Sequence, residues 1–290
     1  MQTKERNFVL GIFIILLGLN ILAWTGVYEL SKPKVLTVDF FDVGQGDSIF
    51  IETPQRHQIL IDGGPSSKVL SKLSENMPFW DRTIDLVILT HPDPDHLNGL
   101  VDVLKSYKVG LVAFNGAEGE VVAFSEFKNE IAKKHIPTVV LFSGKKILIG
   151  NKICLNILAP FENFEGKKVK DFNSSSIVAK LVYGESKFLF TGDAPKSIED
   201  ELVEKNINLS ANVLKVGHHG SRTSTGEIFL QKISPQYAVI SVGKNNSYGH
   251  PHQEVLERLE KYGIKIFRTD FNGDIKFISN GNLIYAFPNL

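Results

Sequence analysis

The sequence predicts an α/β sandwich, two mixed sheets packed face to face with helices on the outer faces, preceded by one membrane-crossing helix. Three observations carry that expectation. Short apolar or alternating runs recur in both halves of the chain, and in each half helical patterns follow them. The residues suited to metal chemistry, Asp62, His91, Asp93, Asp95, His96, Asp193, His218 and His219, stand where predicted strands run out. Residues 8–28 carry no charge, over a length close to the roughly twenty residues that a bilayer core requires.

Lys4 and Arg6 precede the apolar run, so the positive-inside rule keeps the amino end in the cytoplasm and sends the remainder across the cell membrane. Trp24 and Tyr28 then belong at the outer interface. A cleaved signal sequence, making the protein secreted, is the alternative. The run is longer than a usual signal core and no small-x-small cleavage site stands out, which favours an uncleaved anchor over residues 1–30 and a second domain over 31–290.

Residues 31–34 form a short polar linker, after which 35–42 reads as the first strand and 44–47 as a tight turn. Strands 48–52 and 58–62 follow, ending at the sharp bend of Asp62-Gly-Gly64. A helix over 66–76 puts Val69, Leu70 and Leu73 on one face, strand 84–89 leads to His91, and a helix over 97–106 turns Leu100, Val101 and Leu104 inward. Strand 108–114, helix 121–134 and strands 138–142, 146–149 and 152–158 come next, with His135 and Pro137 breaking the helix. Residues 161–172 are a charged loop. Strands 176–183 and 187–191 pair through Gly184-Glu185 and deliver Asp193; helix 197–204, strand 213–216, helix 226–233 and strand 237–242 follow. Pro251 sits near the first turn of the helix that carries Val255, Leu256 and Leu259. Strands 264–268, 274–278 and 283–287 close the chain, and Asn272-Gly273 is a hairpin-turn signal.

Lys plus Arg equals Asp plus Glu at 32 each, so overall charge draws the chain to neither nucleic acid nor anionic lipid. A nucleic-acid partner needs a local patch, for which Lys167, Lys168, Lys170, Lys215, Arg222 and Lys244 are candidates, although solvated surface lysines are the commoner case. Cys154 is the only cysteine; it excludes an intrachain disulfide and reads as a small buried hydrophobe in a strand.

The densest chemistry is Thr90-His91-Pro92-Asp93-Pro94-Asp95-His96. Imidazole and carboxylate donors suit zinc, manganese or iron, and the two prolines stiffen the loop, so less entropy is lost when the ligands converge. A solvated polar turn is the plainer reading, but two His and two Asp within six residues, between a buried strand and a helix, are uncommon in one.

Seven motifs in order carry a resemblance: Phe41-Asp-Val-Gly-Gln-Gly-Asp-Ser48, Ile61-Asp-Gly-Gly64, the His91 loop, Asn173-Ser-Ser175, Leu189-Phe-Thr-Gly-Asp193, Leu214-Lys-Val-Gly-His-His-Gly-Ser221 and Asn246-x-Tyr-Gly-His-Pro251. From about Val35 to Phe287 the chain resembles the metallo-β-lactamase fold, and within it the carboxy-terminal domain of ComEC-type competence proteins. The resemblance implies a hydrolase with one or two divalent ions, Zn²⁺ or Mn²⁺. One ion would take His91, Asp93 and a bridging Asp193; the other would take Asp95, His96, Asp193 and one of His218 and His219. Asp93 stands where most of the superfamily has a His, and residues 173–175 stand where a further His is usual; both changes are typical of the ComEC-like branch, weaken the first ion's place and favour a harder metal.

Consecutive residues near a strand end point to opposite sides, so His218 and His219 do not both reach one ion without a twist. The fold's ligand-glycine pair favours His219. That leaves His218, Ser221 and His250 facing substrate, with His218, His250 and Asp95 in catalytic roles and Asn246 and Tyr248 among the substrate contacts. His250 as a plain helix-start residue is the other reading. Asp62 and Asn173 are expected behind the ligands, Asp62 orienting His91 or its loop. His57, His135 and His252 receive no role.

Three functions follow from this. The first is a membrane-anchored phosphodiesterase or nuclease acting on DNA in competence-type uptake, with a membrane-channel competence protein as a possible partner. A hydrolase of a small phosphodiester or ester, such as envelope phosphocholine, a nucleotide or a lactone, is the second. The third is a non-catalytic protein with a degenerate site.

Overall fold

The computed structural model describes residues 3–31, 34–119, 121–150 and 152–288, so Lys32 and Pro33 of the expected linker lie outside the described residues. The chain divides into two compact units, residues 1–34 and 35–290. The first is a single helix, α1 (Thr3–Ser31). Its stretch Lys4–Tyr28 is long and apolar enough to cross a membrane, and side chains such as Phe8, Phe13 and Trp24 are exposed along it.

The second unit contains two sheets. Strands β1 (Leu36–Phe40), β2 (Ile49–Glu52), β3 (Gln58–Ile61), β4 (Thr83–Leu89), β5 (Lys108–Phe114) and β6 (Thr138–Val140) line up in that order in the first sheet. Helices α2 (Lys68–Asn76), α3 (Pro94–Ser106) and α4 (Val122–Lys133) lie between them in the chain. The second sheet begins with β7 (Lys146–Ile149), β8 (Ile153–Ala159), β9 (Val178–Tyr183) and β10 (Ser186–Phe190), and continues through β11 (Val213–Lys215), β12 (Tyr237–Ile240) and β13 (Lys265–Arg268). Helices α5 (Lys196–Glu204), α6 (Glu227–Ile233) and α7 (Gln253–Lys261) are its outer layer.

Period-two alternation decides which core each side chain joins. Leu36, Val38, Phe40, Leu86 and Ile88 meet Leu155, Leu181, Phe188 and Phe190 between the sheets. Their neighbours Val87 and Leu89 turn the other way, to Val69, Leu73, Leu97, Leu100 and Phe127 of the helices. The second sheet repeats this with Leu189, Leu214 and Ile240 against Leu202, Leu230 and Leu259. Parallel strands with both faces covered explain the continuous apolar runs at 86–89 and 237–240.

The structure departs from the expected order at the carboxyl end. Asn272-Gly273 is not a hairpin turn: it ends a one-turn helix, α8 (Thr269–Asn272), at which the chain leaves the second sheet. Strands β14 (Ile275–Ser279) and β15 (Ile284–Pro288) then return to the first sheet, β14 pairing antiparallel with β1. The Asn272 Oδ1 accepts the Arg268 amide at 2.9 Å, which is helix-end rather than hairpin chemistry. Asn280-Gly281, with Gly281 at φ 96°, lies between β14 and β15 instead. Pro251 lies beside the start of α7 as expected, directly before its N-cap His252. One smaller expectation shifts: Cys154 is half-buried in β8 rather than fully enclosed.

Candidate metal centre

Helix α3 begins three residues earlier than its apolar pattern indicates, because Pro94 occupies the first helical position, where a missing N–H costs nothing. Asp93 is the extended residue before it, and Asp95 and His96 therefore fall in the first turn, with the carboxylate at the favourable end of the helix dipole. Gly99, one turn on, lets the helix lie directly on the Asp62-Gly63-Gly64 bend: a Cβ at Gly99 would overlap the Gly63 carbonyl oxygen, and the Gly99 amide donates to Gly64 O at 2.9 Å.

Asp62 is fully buried just beyond the end of β3 and organises the loop. Its Oδ1 accepts the Thr90 amide at 2.8 Å, and its Oδ2 accepts the Thr90 hydroxyl at 2.7 Å and His96 Nδ1 at 2.8 Å. With the Thr90 proton committed to Asp62, His91 Nδ1, 3.0 Å from that hydroxyl, is the donor between them. His219 Nδ1 donates to the Ser241 carbonyl at 2.8 Å. All three imidazoles thus spend Nδ1–H on the protein and leave Nε2 for something else, the orientation metal-binding histidines take.

What they face is Asp193, carried past the end of β10 by Gly192 at φ 51°. His96 Nε2 lies 3.4 Å from Asp193 Oδ1, His219 Nε2 3.4 Å from Asp193 Oδ2, and His219 Nε2 3.2 Å from Asp95 Oδ2. Donors around a tetrahedral cation with bonds of about 2.1 Å sit roughly 3.4 Å apart. His91 Nε2, His96 Nε2 and Asp193 Oδ1 are buried with no hydrogen-bond partner, an arrangement that costs free energy unless a cation satisfies it. Asp95, His96, Asp193 and His219 offer four ligand atoms within 4.8 Å of one another, so the donor set fits a divalent ion.

The electrostatics agree. Burial alone would depress His96, but Asp193, Asp62 and Asp95 outweigh it and hold the imidazole well above its ordinary value. Burial likewise opposes His219, yet Asp193, Asp95 and Asp47 push it up to about 10. For Asp95, burial is overcome by His96 and His219, which keep it below the usual carboxylate range. A proton on each Nε2 thus stands where a cation would supply the charge, and binding one must expel it.

Two members of the centre were not expected there from the sequence. Asp47 is buried at the Gly44-Gln-Gly-Asp47 turn, and it forms with Asp62 and His96 a second group of close donors. Lys215, considered above as a phosphate contact, is fully buried instead. Its Nζ pairs with Asp47, lies 3.6 Å from Asp193 Oδ1 and donates to Gly192 O at 3.0 Å. A lysine alternating inward at the end of β11, after Val213, is the signal that a surface reading overlooks.

The remaining expected residues divide. His91 and Asp93 approach each other at 3.5 Å, and the His91 ring is 4.2 Å from that of His96, but neither joins the four-donor group. Asn173 caps no ligand; it lies in a short turn whose Ser176 Oγ accepts the Asp193 amide at 3.2 Å. His218 and His219 share a left-handed turn, φ 47° and 54°, which separates them: His219 is enclosed, while His218 is partly open with Nε2 3.7 Å from Asp193 Oδ2. Ser221 does not face outward. It is buried, and its hydroxyl is taken up 2.9 Å from that of Thr223. Asn246 is also committed to its own loop, donating to Gly243 O and His250 O and accepting the Tyr248 and His250 amides. His250 remains at the mouth, its ring 5.6 Å from His218 and 6.5 Å from His219; burial and those two neighbours lower it to about 4. Tyr248 stacks on its outer side at 5.7 Å.

Residues 41–244 match the family described as the metallo-beta-lactamase superfamily. The chain belongs to that superfamily. Among curated relatives of this metallo-beta-lactamase domain, "ComE operon protein 3" of Bacillus subtilis is 36% identical over 261 residues, 83% of this chain and 32% of that protein. "Competence protein ComA" of Neisseria gonorrhoeae is 32% identical over 251 residues, 86% of this chain and 33% of that one. The chain therefore spans about a third of the length of the curated relatives it matches, and it is a metal-dependent hydrolase fold related to competence proteins. Among solved structures, the metallo-beta-lactamase fold protein YhfI from Bacillus subtilis superposes with a TM-score of 0.54 at 11% identity, over 87% of this chain and all of that one, a likeness of fold alone.

Proposed function

We propose that the protein is a membrane-anchored phosphodiesterase that cleaves DNA during competence-type DNA uptake, with its catalytic domain outside the cytoplasm. The observation that carries this reading is the convergence of orphaned, buried His96 Nε2 and Asp193 Oδ1 with His219 and Asp95. The competence-protein relatives supply the substrate class, and Lys4 and Arg6 before the apolar helix supply the orientation.

A divalent ion held by Asp95, His96, Asp193 and His219 supplies Lewis-acid polarisation of a phosphoryl oxygen and a water acidic enough to be deprotonated at neutral pH. The chain's own groups do the rest. Asp62, through Thr90 and His96, fixes which imidazole nitrogen faces the centre. Lys215 compensates Asp47 and Asp193 below it. His250, neutral at pH 7, stands at the open side as an uncharged ring.

The test is DNA cleavage with Mn²⁺ or Zn²⁺ by the wild type and Asp95→Ala, alongside bis-p-nitrophenyl phosphate. Loss of DNA cleavage in the variant is expected. Equal slow degradation by both proteins would mark a contaminant and sink the DNA reading, and turnover of the small ester without any action on DNA would favour a small phosphodiester.

A further inference from the structure

Beside the partly open Asp93 and Asp95, histidine rings border the metal centre, and those rings lead outward to an aromatic face. His250 packs edge-on to His218 at 76° and 5.6 Å, and Tyr248 lies nearly parallel to His250, at 22° and 5.7 Å. Tyr248 is 67% exposed, an unusual position for a large ring unless its outer face is used. Nor is the ring loosely placed. Asn246 accepts the Tyr248 and His250 amides, at 3.2 and 3.0 Å, and donates to the His250 carbonyl at 2.7 Å, so the loop that presents the ring is tied at three points. Exposed Lys244 stands four residues before Tyr248 in the same segment, and exposed Arg222, whose Nε lies 3.8 Å from Glu254, adjoins the rim through His252, whose ring is 4.9 Å from His250 and whose Nδ1 accepts the Arg222 amide.

A rigid, half-stacked aromatic face beside cationic side chains is how proteins hold an unpaired nucleobase without reading its identity. A duplex does not offer one, because its bases are already stacked on each other and shielded by the backbone. We propose that Tyr248 is a base-stacking platform that makes the enzyme prefer single-stranded nucleic acid, seating one base on the outer face of its ring while the adjoining phosphodiester enters over His250. The proposal rests on the DNA-cleaving function given above and adds the strandedness of the substrate and the residue that selects it.

The experiment uses the full chain in detergent with Mn²⁺ and four substrates: an unstructured single-stranded oligonucleotide, an equally long strand built of abasic residues, the blunt duplex, and bis-p-nitrophenyl phosphate. The wild type is expected to show a KM roughly tenfold lower for the base-carrying strand than for the abasic strand, and to cleave the duplex more slowly than either single strand per phosphodiester. Tyr248→Ala should abolish the tenfold discrimination and Tyr248→Phe should keep it, since stacking needs the ring and not the hydroxyl. Discrimination that survives in Tyr248→Ala, is absent from the wild type, or is lost equally in Tyr248→Phe overturns the proposal, as does a duplex cleaved as readily as the single strand. Should the wild type turn over bis-p-nitrophenyl phosphate and neither oligonucleotide, the DNA function itself fails and the stacking platform with it.

Discussion

Asp62 and Lys215 show how much of the centre depends on side chains that are not among the four close donors. Asp62 accepts hydrogen bonds from Thr90 and His96 together, so its removal frees two orientations at once. Asp62→Ala is expected to weaken metal binding ten- to a hundredfold, as loss of an orienting partner typically does, measured by titration of the metal-free protein. His96→Ala and Asp193→Ala should lose most bound metal, by elemental analysis after purification without chelator, whereas His250→Ala should retain it. Lys215 is a different case, a buried ammonium whose absence leaves Asp47 and Asp193 uncompensated. Lys215→Met should cost about 3–5 kcal/mol in urea unfolding, and the pair Asp47→Asn with Lys215→Met should recover much of that. If the double variant is no more stable than the single one, the ion pair is not what Lys215 contributes.

Among the elements, the turn that presents His218 and His219 depends on α5. Glu199, buried in that helix, accepts the Thr225 and Gly226 amides at 2.6 and 2.7 Å and so pins the segment between β11 and α6. Burial pushes its carboxyl up to about 7, the two backbone donors only partly offsetting it. Between the ordinary value of 4.5 and about 7, the folded chain keeps a proton there that the unfolded chain has lost. The stabilisation is therefore complete below the lower value and disappears as pH rises through the upper one, by on the order of 3 kcal/mol. Glu199→Gln should flatten the pH dependence of stability across that window relative to wild type; parallel profiles would show that Glu199 does not titrate there. The α3 contact offers a steric counterpart. Gly99→Ala should drive the helix off the Asp62 bend and reduce both thermal stability and metal binding, because the Gly63 backbone has nowhere to retreat.

At the scale of the whole chain, the metal-centre residues and both sheets lie within residues 35–290. A truncated chain beginning near Ser31 is expected to be soluble, folded and metal-binding, with a melting temperature that falls on addition of EDTA, since a ligand that binds only the folded state stabilises it. Insolubility of that fragment, or indifference to EDTA, would contradict this. The proposed export is tested separately by a reporter fused after Leu290: activity of one that works only in the cytoplasm would place the domain inside.

The sequence by itself determined the strand and helix order, the apolar amino-terminal helix and the existence of a His/Asp centre, because these are local patterns: period-two and 3.6-residue alternation, a charge-free run, and donors crowded into six residues. The choice of His219 over its neighbour came from the resemblance, through that fold's ligand-glycine pair. What only the tertiary structure decided were relations between distant segments. The return of β14 to pair with β1 depends on which sheet edge is open, and that is not written in Asn272-Gly273. Asn246 and Ser221 carry polar groups that look outward in a sequence, yet folding spends those groups on their own loops. Asp47 and Lys215 are 168 positions apart and each reads as a surface charge; only the packing of β11 against the turn after β1 removes both from water, and a charge withdrawn from water has to find its opposite.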